Sequence, residues 1–533
     1  MILKLRQFIR YCFDEKPLLF CMWSAFLLRM LAVVFSQGIV FGFDHYMYVE
    51  NAQRIVSGEL TFSELVFSQE SKSFSLHGYS LVYLIVNTGI FYVCEIFGMF
   101  DARTKMFIIR LFHALFSLLM IYYGYRITYR LANRKAALVV GLVLSMLWFM
   151  PFVSVKSLPE NFSSIFLLAA VYRFAKTNKR TYKYGDDLFV GLLAGGAVPF
   201  CYNSIIFVFG FALAIALISN KRRLLLLLAG ATISVFLTEG IISMIVLKAP
   251  FYILGEYASA VFTGGLVTHG VRNFYMYISL LIFMIPMPWG LLAIYGYVKS
   301  WRRTYILFFP VTFYIVISYI LPYKGEQFIL PIVPLFFIVC LAGWYRYTSN
   351  SRFWAARPNF HFWLSMVFFI INTPALFYSC FAYTRKAQVE TMLYLSRYKN
   401  DITSIMVEDS GYSSCKSLPL FYLGKQVPIY VLNKQDEEPD PSVYYSMIKD
   451  DKNTYSLYTE KYFYHPQNGN IPQYVIFYGD YDIPERLSKM RQFFPQITYE
   501  KKISPSLADR IIQFINPGNR NVPLYIYKTC VEE

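Results

Sequence analysis

The chain has 533 residues, 56% hydrophobic, 19% aromatic and only 16% charged, with a formal net charge of +17. Soluble domains carry about 25% charged residues, so this composition excludes an ordinary soluble protein. Nor does the positive charge indicate nucleic acid: Lys and Arg cluster in short connections between apolar runs, at 126–135, 173–183, 221–223, 299–303 and 346–357, which is the positive-inside pattern of a membrane protein.

Apolar stretches of about 20 residues recur as far as residue 382, each long enough to cross about 30 Å of hydrocarbon. The first, 18–35, is apolar except for Arg29, and its length and the lack of a small-residue cleavage site make it a span rather than a cleavable signal. The cations before it (Lys4, Arg6, Arg10, Lys16) place 41–76 outside. Two apolar runs, 77–98 and 106–125, then separate this outer loop from the inner basic cluster that begins at Arg126. An odd number must cross, so one of the two is expected to lie in the interface or re-enter. Further spans are expected near 136–153, 158–175, 225–247, 272–298, 304–321, 327–345 and 360–382. The run 188–219 is too long for one span and fits two short ones turning at Pro199 and Asn203. The total is about 11 spans. The loops 151–161, 248–271 and 322–326 fall outside, with everything from Thr384 onward.

From 384 to 533 the character changes. "SIMVEDSGYSS", "QVPIYVLN", "QYVIFYGD" and "VPLYIYK" are short β-rich runs among Pro, Gly and Asp. At about 150 residues this tail can bury its own core. The expected organisation is a transmembrane domain, 1–383, and a small extracytoplasmic α/β domain, 384–533. Cys415 and Cys530 both fall in the second, where an oxidising compartment would allow them to pair.

The polar groups that spans do not explain fall on the outer side. "GFDHYMYVENAQRIVSG" carries Asp44, His45 and Glu50 directly after the first span. "SVKSLPENFS" carries Lys156, and "LPYKGEQFILPIVP" carries Lys324 and Glu326. Glu256, His269 and Arg272 lie in the outer loop before a later span. Acids and lysines beside hydrocarbon are costly and mark function. A carboxylate there can act as general base for a sugar hydroxyl attacking the anomeric carbon of a lipid-phosphate sugar. The leaving group is already a phosphate, so it needs no strong acid. It needs a cation, which Lys156 and Lys324 could supply. No zinc spacing, P-loop or nucleotide-binding glycine motif appears. No metal or cofactor is expected, the lipid-phosphate sugar being the donor substrate.

Taken together these stretches resemble the GT-C glycosyltransferases, and more narrowly glycosyltransferase family 22, the lipid-phosphate-mannose-dependent α-mannosyltransferases of N-glycan and GPI-anchor precursor assembly. That family carries a His-Pro-Asp-Glu motif in its first outer loop, followed by an acid and a Gly. Asp44 matches the Asp, Glu50 and Gly58 match loosely, His45 stands in place of the Glu and Phe43 in place of the Pro. The family's Arg-Thr-Leu-Pro-Asn resembles Lys156, Ser157, Leu158, Pro159 and Asn161, with Glu160 extra. Its His-Lys-Glu-x-Arg-Phe-x-x-Pro resembles 323–331, where Lys324, Phe328 and Pro331 are retained.

The resemblance implies a polytopic helical GT-C-like enzyme with a catalytic loop at 41–76. It would move a single sugar, mannose, from a polyprenyl- or dolichyl-phosphate donor to a glycan or glycolipid hydroxyl. Asp44 would be the base, with Glu50 the second choice for that role, since the spacing does not put the two squarely on one helix face. His45, Lys156, Lys324, Glu326, His269 and Arg272 would bind substrate. Inversion at the anomeric carbon follows from a single displacement. Two alternatives stay open on the residues alone: an oligosaccharide ligase transferring a preassembled lipid-linked glycan, and a glycolipid transporter. A bacterial inner membrane with the site facing the periplasm and an ER membrane with the site facing the lumen both fit this topology.

Overall fold

In the computed structural model of the chain the described residues are 15–40, 44–67, 80–176, 184–218, 221–263, 276–302, 304–321, 325–409, 418–427, 429–433, 472–491, 494–516 and 521–529. They divide into two compact units. One, helical, comprises Met1–Ser36, Met47–Phe100 and Lys105–Phe381; the other comprises Gln37–Tyr46, Asp101–Thr104 and Ala382–Glu533.

The helical unit is polytopic. Among the described residues, 5 helices are long and apolar enough to cross a membrane: Pro17–Phe35, Ala102–Leu131, Lys221–Leu247, Glu326–Asn350 and Pro358–Cys380. They become 6 if the bent pair Trp289–Ser300 and Tyr305–Ile320 forms one span. The two runs flanking the parity problem differ in length. Leu81–Ile96 has 16 residues and Ala102–Leu131 has 30, or about 24 Å and 45 Å at about 1.5 Å per residue. The second alone exceeds the hydrocarbon thickness.

Two expected spans are interrupted. In place of 136–153 there are helices Arg134–Met146 and Met150–Val155. The break is satisfied by Asn372, whose Oδ1 accepts from the Trp148 N–H (2.9 Å) and whose Nδ2 donates to the Met146 carbonyl (2.8 Å). In place of 272–298 the described helices are Met276–Phe283 and Trp289–Ser300. Pro286 and Pro288 stand in the gap, where neither can donate a helical hydrogen bond. The run 188–219 gives the expected pair, Tyr184–Gly195 and Ser204–Ile218, reversing through Pro199 and Asn203.

Lipid offers little apolar drive for helix association, so close approach through small residues carries it. A Cβ on Gly191 would come within 2.1 Å of the Leu227 carbonyl oxygen, and one on Gly230 within 2.1 Å of the Leu188 carbonyl oxygen. Gly296 and Gly343 pair Trp289–Ser300 with Val333–Asn350 in the same way. That second helix is buried at every residue from Val333 to Trp344, as a helix apolar on all sides should be. Arg29, wholly buried in Pro17–Phe35, is satisfied by its neighbours. Its Nε donates to Ser117 Oγ (2.7 Å), and one terminal nitrogen donates to Ser154 Oγ (3.1 Å) and the Leu144 carbonyl (3.3 Å).

The other unit is built on a five-stranded sheet in the order β2-β1-β3-β5-β4. Its strands are β1 Ile405–Asp409, β2 Ile429–Asn433, β3 Tyr474–Tyr478, β4 Thr498–Ile503 and β5 Leu524–Lys528. β1 lies parallel to both β2 and β3, while β5 runs antiparallel to β3 and β4. Among the described residues, the helices Lys386–Leu395, Ile483–Arg491 and Leu507–Ile515 accompany it. A buried ion pair joins Glu408 of β1 to Arg486, whose guanidinium also donates to the Glu408 carbonyl (2.9 Å) and lies over the Tyr481 ring (4.1 Å). The segment 37–46 is tied to the same unit. Thr384 N donates to the Gln37 carbonyl (3.2 Å), Ile39 N to the Thr384 carbonyl (3.3 Å), and Thr384 Oγ1 to the Ile39 carbonyl (2.7 Å). Cys415 and Cys530 lie outside the described residues.

Candidate active site

The stretch after the first span forms a helix, Asp44–Val56, which Asp44 opens and on which Glu50 is buried. Six positions apart, the two lie about 120° apart around the axis and do not share a face. The side chains of Asp44 and His45 lie outside the described residues, as do Lys324, His269 and Arg272. Glu326 opens the short 3-10 helix Glu326–Ile332 and is exposed.

Within the helical unit, polar groups from separate loops meet at one end. Tyr48, on the Asp44–Val56 helix, accepts from the Ser80 N–H (2.7 Å), and the Ser80 hydroxyl donates to the Pro199 carbonyl (2.5 Å). The same hydroxyl accepts from Tyr83 N (3.1 Å), capping the helix Leu81–Ile96. Tyr83 then reaches the second polar stretch: its hydroxyl lies 2.7 Å from Ser157 Oγ and 3.0 Å from His113 Nε2, and its ring meets Tyr48 edge-on at 4.9 Å. Beyond Pro199, Tyr202 donates to Glu239 (3.1 Å) and packs against Tyr257 (5.1 Å between rings), and Tyr257 donates to Asn203. The third stretch is held by Tyr277, which donates to the Gly325 carbonyl (3.2 Å), and by Tyr314, which donates to the Phe328 carbonyl. Tyr314 is also within electrostatic reach of Glu160 and Tyr257. The loops carrying the second, third and fourth polar stretches thus converge with the helix that carries Glu50.

Lys156 occupies the linker between the helices Met150–Val155 and Pro159–Lys176. Sequence reasoning placed it as an outer-face cation; it is almost wholly buried. Its ammonium donates to the Ser36 carbonyl (3.4 Å) at the exit of the first helix and lies 4.8 Å from the Phe152 ring centroid. Burial, and then the neighbouring Arg110 guanidinium, hold this ammonium well below the usual lysine range. Arg110 itself donates to the Val33 carbonyl (2.9 Å). Both basic side chains thus donate to carbonyls at the end of the first helix, Ser36 and Val33.

Three groups were not singled out from sequence. Glu239, fully buried, sits in a π-helical turn, Phe236–Ile241, inside an otherwise apolar span. Such turns recur at functional sites, and an acid inside a hydrophobic span was the available signal. Glu160, also buried, was treated only as an extra residue in a motif. Lys105 donates to Glu95 and to Gln53, both at 2.7 Å, and so anchors the helix that carries Glu50.

The family model of the Alg9-like mannosyltransferases matches residues 71–413. No curated protein sequence matches the chain. Among solved structures, ArnT from Cupriavidus metallidurans bound to undecaprenyl phosphate is similar at 10% identity over 96% of this chain and 98% of that one, with a TM-score of 0.59. The same organism's ArnT in the apo state is similar at 12% identity over 95% and 97%, with a TM-score of 0.56. At these identities the likeness speaks for the fold, which is that of the GT-C membrane glycosyltransferases. The match over more than half of the sequence decides the rest: the chain belongs to the Alg9-like mannosyltransferase family and is a membrane glycosyltransferase.

Proposed function

We propose that this enzyme moves a single mannose from a polyprenyl-phosphate donor to a hydroxyl of a glycan or glycolipid acceptor, at the non-cytoplasmic surface of the membrane and with inversion at the anomeric carbon. The observation that carries the reading is the pair Lys156 and Arg110 at the exit of the first helix. Lys156 in its buried linker and Arg110 on the helix Ala102–Leu131 both reach carbonyls at the end of the first helix, where a donor phosphate would meet two basic side chains. A donor whose lipid remains in the bilayer presents its phosphate at this depth. The basic loops at the other end of the spans support the outward placement, and the undecaprenyl phosphate bound to ArnT supports the donor class.

In this reading Asp44 takes the acceptor proton and Glu50 is the second choice for that role. Lys324 joins Lys156 on the donor phosphate. His45, Glu326, His269 and Arg272 contact the sugar and the acceptor. The reaction needs no metal or cofactor, because the phosphate leaving group departs onto cations supplied by the protein.

The test is transfer from synthetic polyprenyl-phosphate mannose to a panel of lipid-linked acceptors in proteoliposomes, with polyprenyl-phosphate glucose as competing donor. Asp44→Asn removes the basic charge and should lower turnover by about 10²- to 10⁴-fold at unchanged expression. Near-normal transfer by the Asn variant would remove Asp44 from the chemistry. Equal use of glucose would overturn the assignment of mannose, and transfer only from long lipid-linked glycans would point to a ligase.

A further inference from the structure

At the opposite end of the helical unit a cavity of about 380 Å³ opens where the helices Trp289–Ser300 and Val333–Asn350 terminate. Its volume falls within the range of small-molecule sites. Lys299, Arg302 and Arg346 line it, and none of its lining residues is acidic. These three cations make no ion pair among the described residues. Lys299 lies over the Tyr295 ring (5.4 Å) and Arg302 over the Trp301 ring (4.9 Å).

Favourable contacts with helix C-termini could by themselves explain cations here. Each terminus carries about half a negative charge, so two of them offset about one of the three cations. A surplus of about two positive charges remains, directed at a concave surface. Close packing of Gly296 against Gly343 holds the two helix ends together and keeps the cations converged. Two of the cavity's hydroxyls are used internally: Ser300 donates to the Tyr297 carbonyl (2.7 Å) and Thr304 to the Ser300 carbonyl (3.1 Å).

The surface beside the cavity indicates what kind of anion fits. Leu291, Tyr295 and Val298 are exposed and lie at positions i, i+4 and i+7 of one helix, a single stripe along its face. The stripe ends at exposed Trp301, next to the cavity. Indole and phenol rings favour the level of lipid head groups, and basic pockets beside spanning helices take anionic head groups. A soluble anion would use the cations and leave the apolar stripe uncovered. A phospholipid uses both.

We infer that this cavity binds the phosphate of an anionic phospholipid head group, with the acyl chains lying along the Leu291–Tyr295–Val298 stripe. The site is separate from the candidate active site, about 27 Å away along the 18 residues of Val333–Asn350 at about 1.5 Å each.

The full-length protein, purified in a zwitterionic detergent, is titrated with phosphatidylglycerol, phosphatidylcholine or inorganic phosphate, and retention is read by native mass spectrometry. One phosphatidylglycerol should be retained in preference to phosphatidylcholine. At about fivefold per basic residue, Lys299→Gln/Arg302→Gln/Arg346→Gln should weaken it on the order of 100-fold. A control triple variant, Lys16→Gln/Lys221→Gln/Arg222→Gln, removes as much charge from residues that do not line the cavity and should leave it unchanged. Equal losses in the two triple variants would mean diffuse surface charge and overturn the site. Inorganic phosphate competing as tightly as the lipid would overturn the lipid assignment. Should the first triple variant not fold, Arg346→Gln alone must still cost about fivefold, and an unchanged affinity there refutes the inference.

Discussion

The contact that fixes the helix bearing Glu50 gives the most decisive stability test. Lys105 is 2% exposed and donates to Glu95 Oε1 and Gln53 Oε1, both at 2.7 Å; Gln53 Nε2 in turn donates to Glu95 Oε1 (3.3 Å), and the ammonium lies 5.5 Å from the Phe91 ring centroid. Lys105→Leu strands a carboxylate and an amide oxygen. Removing one partner of a fully buried pair costs about 3–5 kcal/mol. The Glu95 side chain is 26% exposed, so water recovers part of this, and about 2–3 kcal/mol is expected. Removing both charges leaves no orphan, so Lys105→Leu/Glu95→Leu should be less destabilised than the sum of the single variants by about 1–2 kcal/mol. Unfolding by SDS titration in mixed micelles measures all four corners of the cycle. Because Gln53 sits one turn from Glu50, Lys105→Leu should also lower turnover more than it changes apparent donor affinity. A coupling energy below about 0.5 kcal/mol would refute the reasoning, since the three groups would then be neighbours without a shared network.

Other consequences are open to direct measurement. Gly191→Leu must displace the Leu227 backbone and should abolish recovery of folded protein, whereas Gly89→Leu, whose Cβ meets nothing within 4 Å, should be recovered normally; size-exclusion profiles distinguish them. Glu408→Leu leaves the Arg486 guanidinium buried without its carboxylate and should destabilise the sheet by about 3–5 kcal/mol, with most of the loss recovered in Glu408→Leu/Arg486→Leu. Protease resistance of the tail in the full chain reads both. Alkaline phosphatase fused after Glu533 should be active in a bacterial host, and an inactive phosphatase beside an active cytoplasmic reporter would reverse the proposed orientation.

What could be read from sequence followed from local physics. Four β-rich runs in the tail coincide with β1, β2, β3 and β5: each is a mostly apolar segment, β2 included although it lies at an edge of the sheet. β4 was missed. Its sequence, TYEKKI, is exposed through Lys502 and charged as an edge strand must be to avoid pairing with another chain. The reversal at Pro199 and Asn203 was legible from chain length and turn chemistry. The break after Met146 was not, because Asn372, which satisfies it, lies more than 220 residues away. The same limit applies to Arg29. One arginine in an apolar run shows in the sequence, but its partners Ser117 and Ser154 are 88 and 125 residues distant. At the candidate site the polar stretches were visible as costly residues beside hydrocarbon. The tyrosines that join their loops were hidden among 45 in the chain.

The pairing of Gln37 and Ile39 with Thr384 has a consequence for synthesis. These partners are separated by 345 residues or more. At about 5–20 residues per second, the ribosome needs on the order of 20–70 s to make the second after the first. Throughout that interval the segment leading to Asp44 has no Thr384 to hold it, while every intervening hydrophobic helix is being delivered to the bilayer. A nascent chain therefore cannot close this pairing until Thr384 is made, and until then the helix Asp44–Val56 is held by its contacts with Ser80 and Lys105 alone among these anchors. The pairing of Gln37 and Ile39 thus closes only after the last apolar helix, Pro358–Cys380, has been made, which ties this contact to a fully synthesised membrane unit.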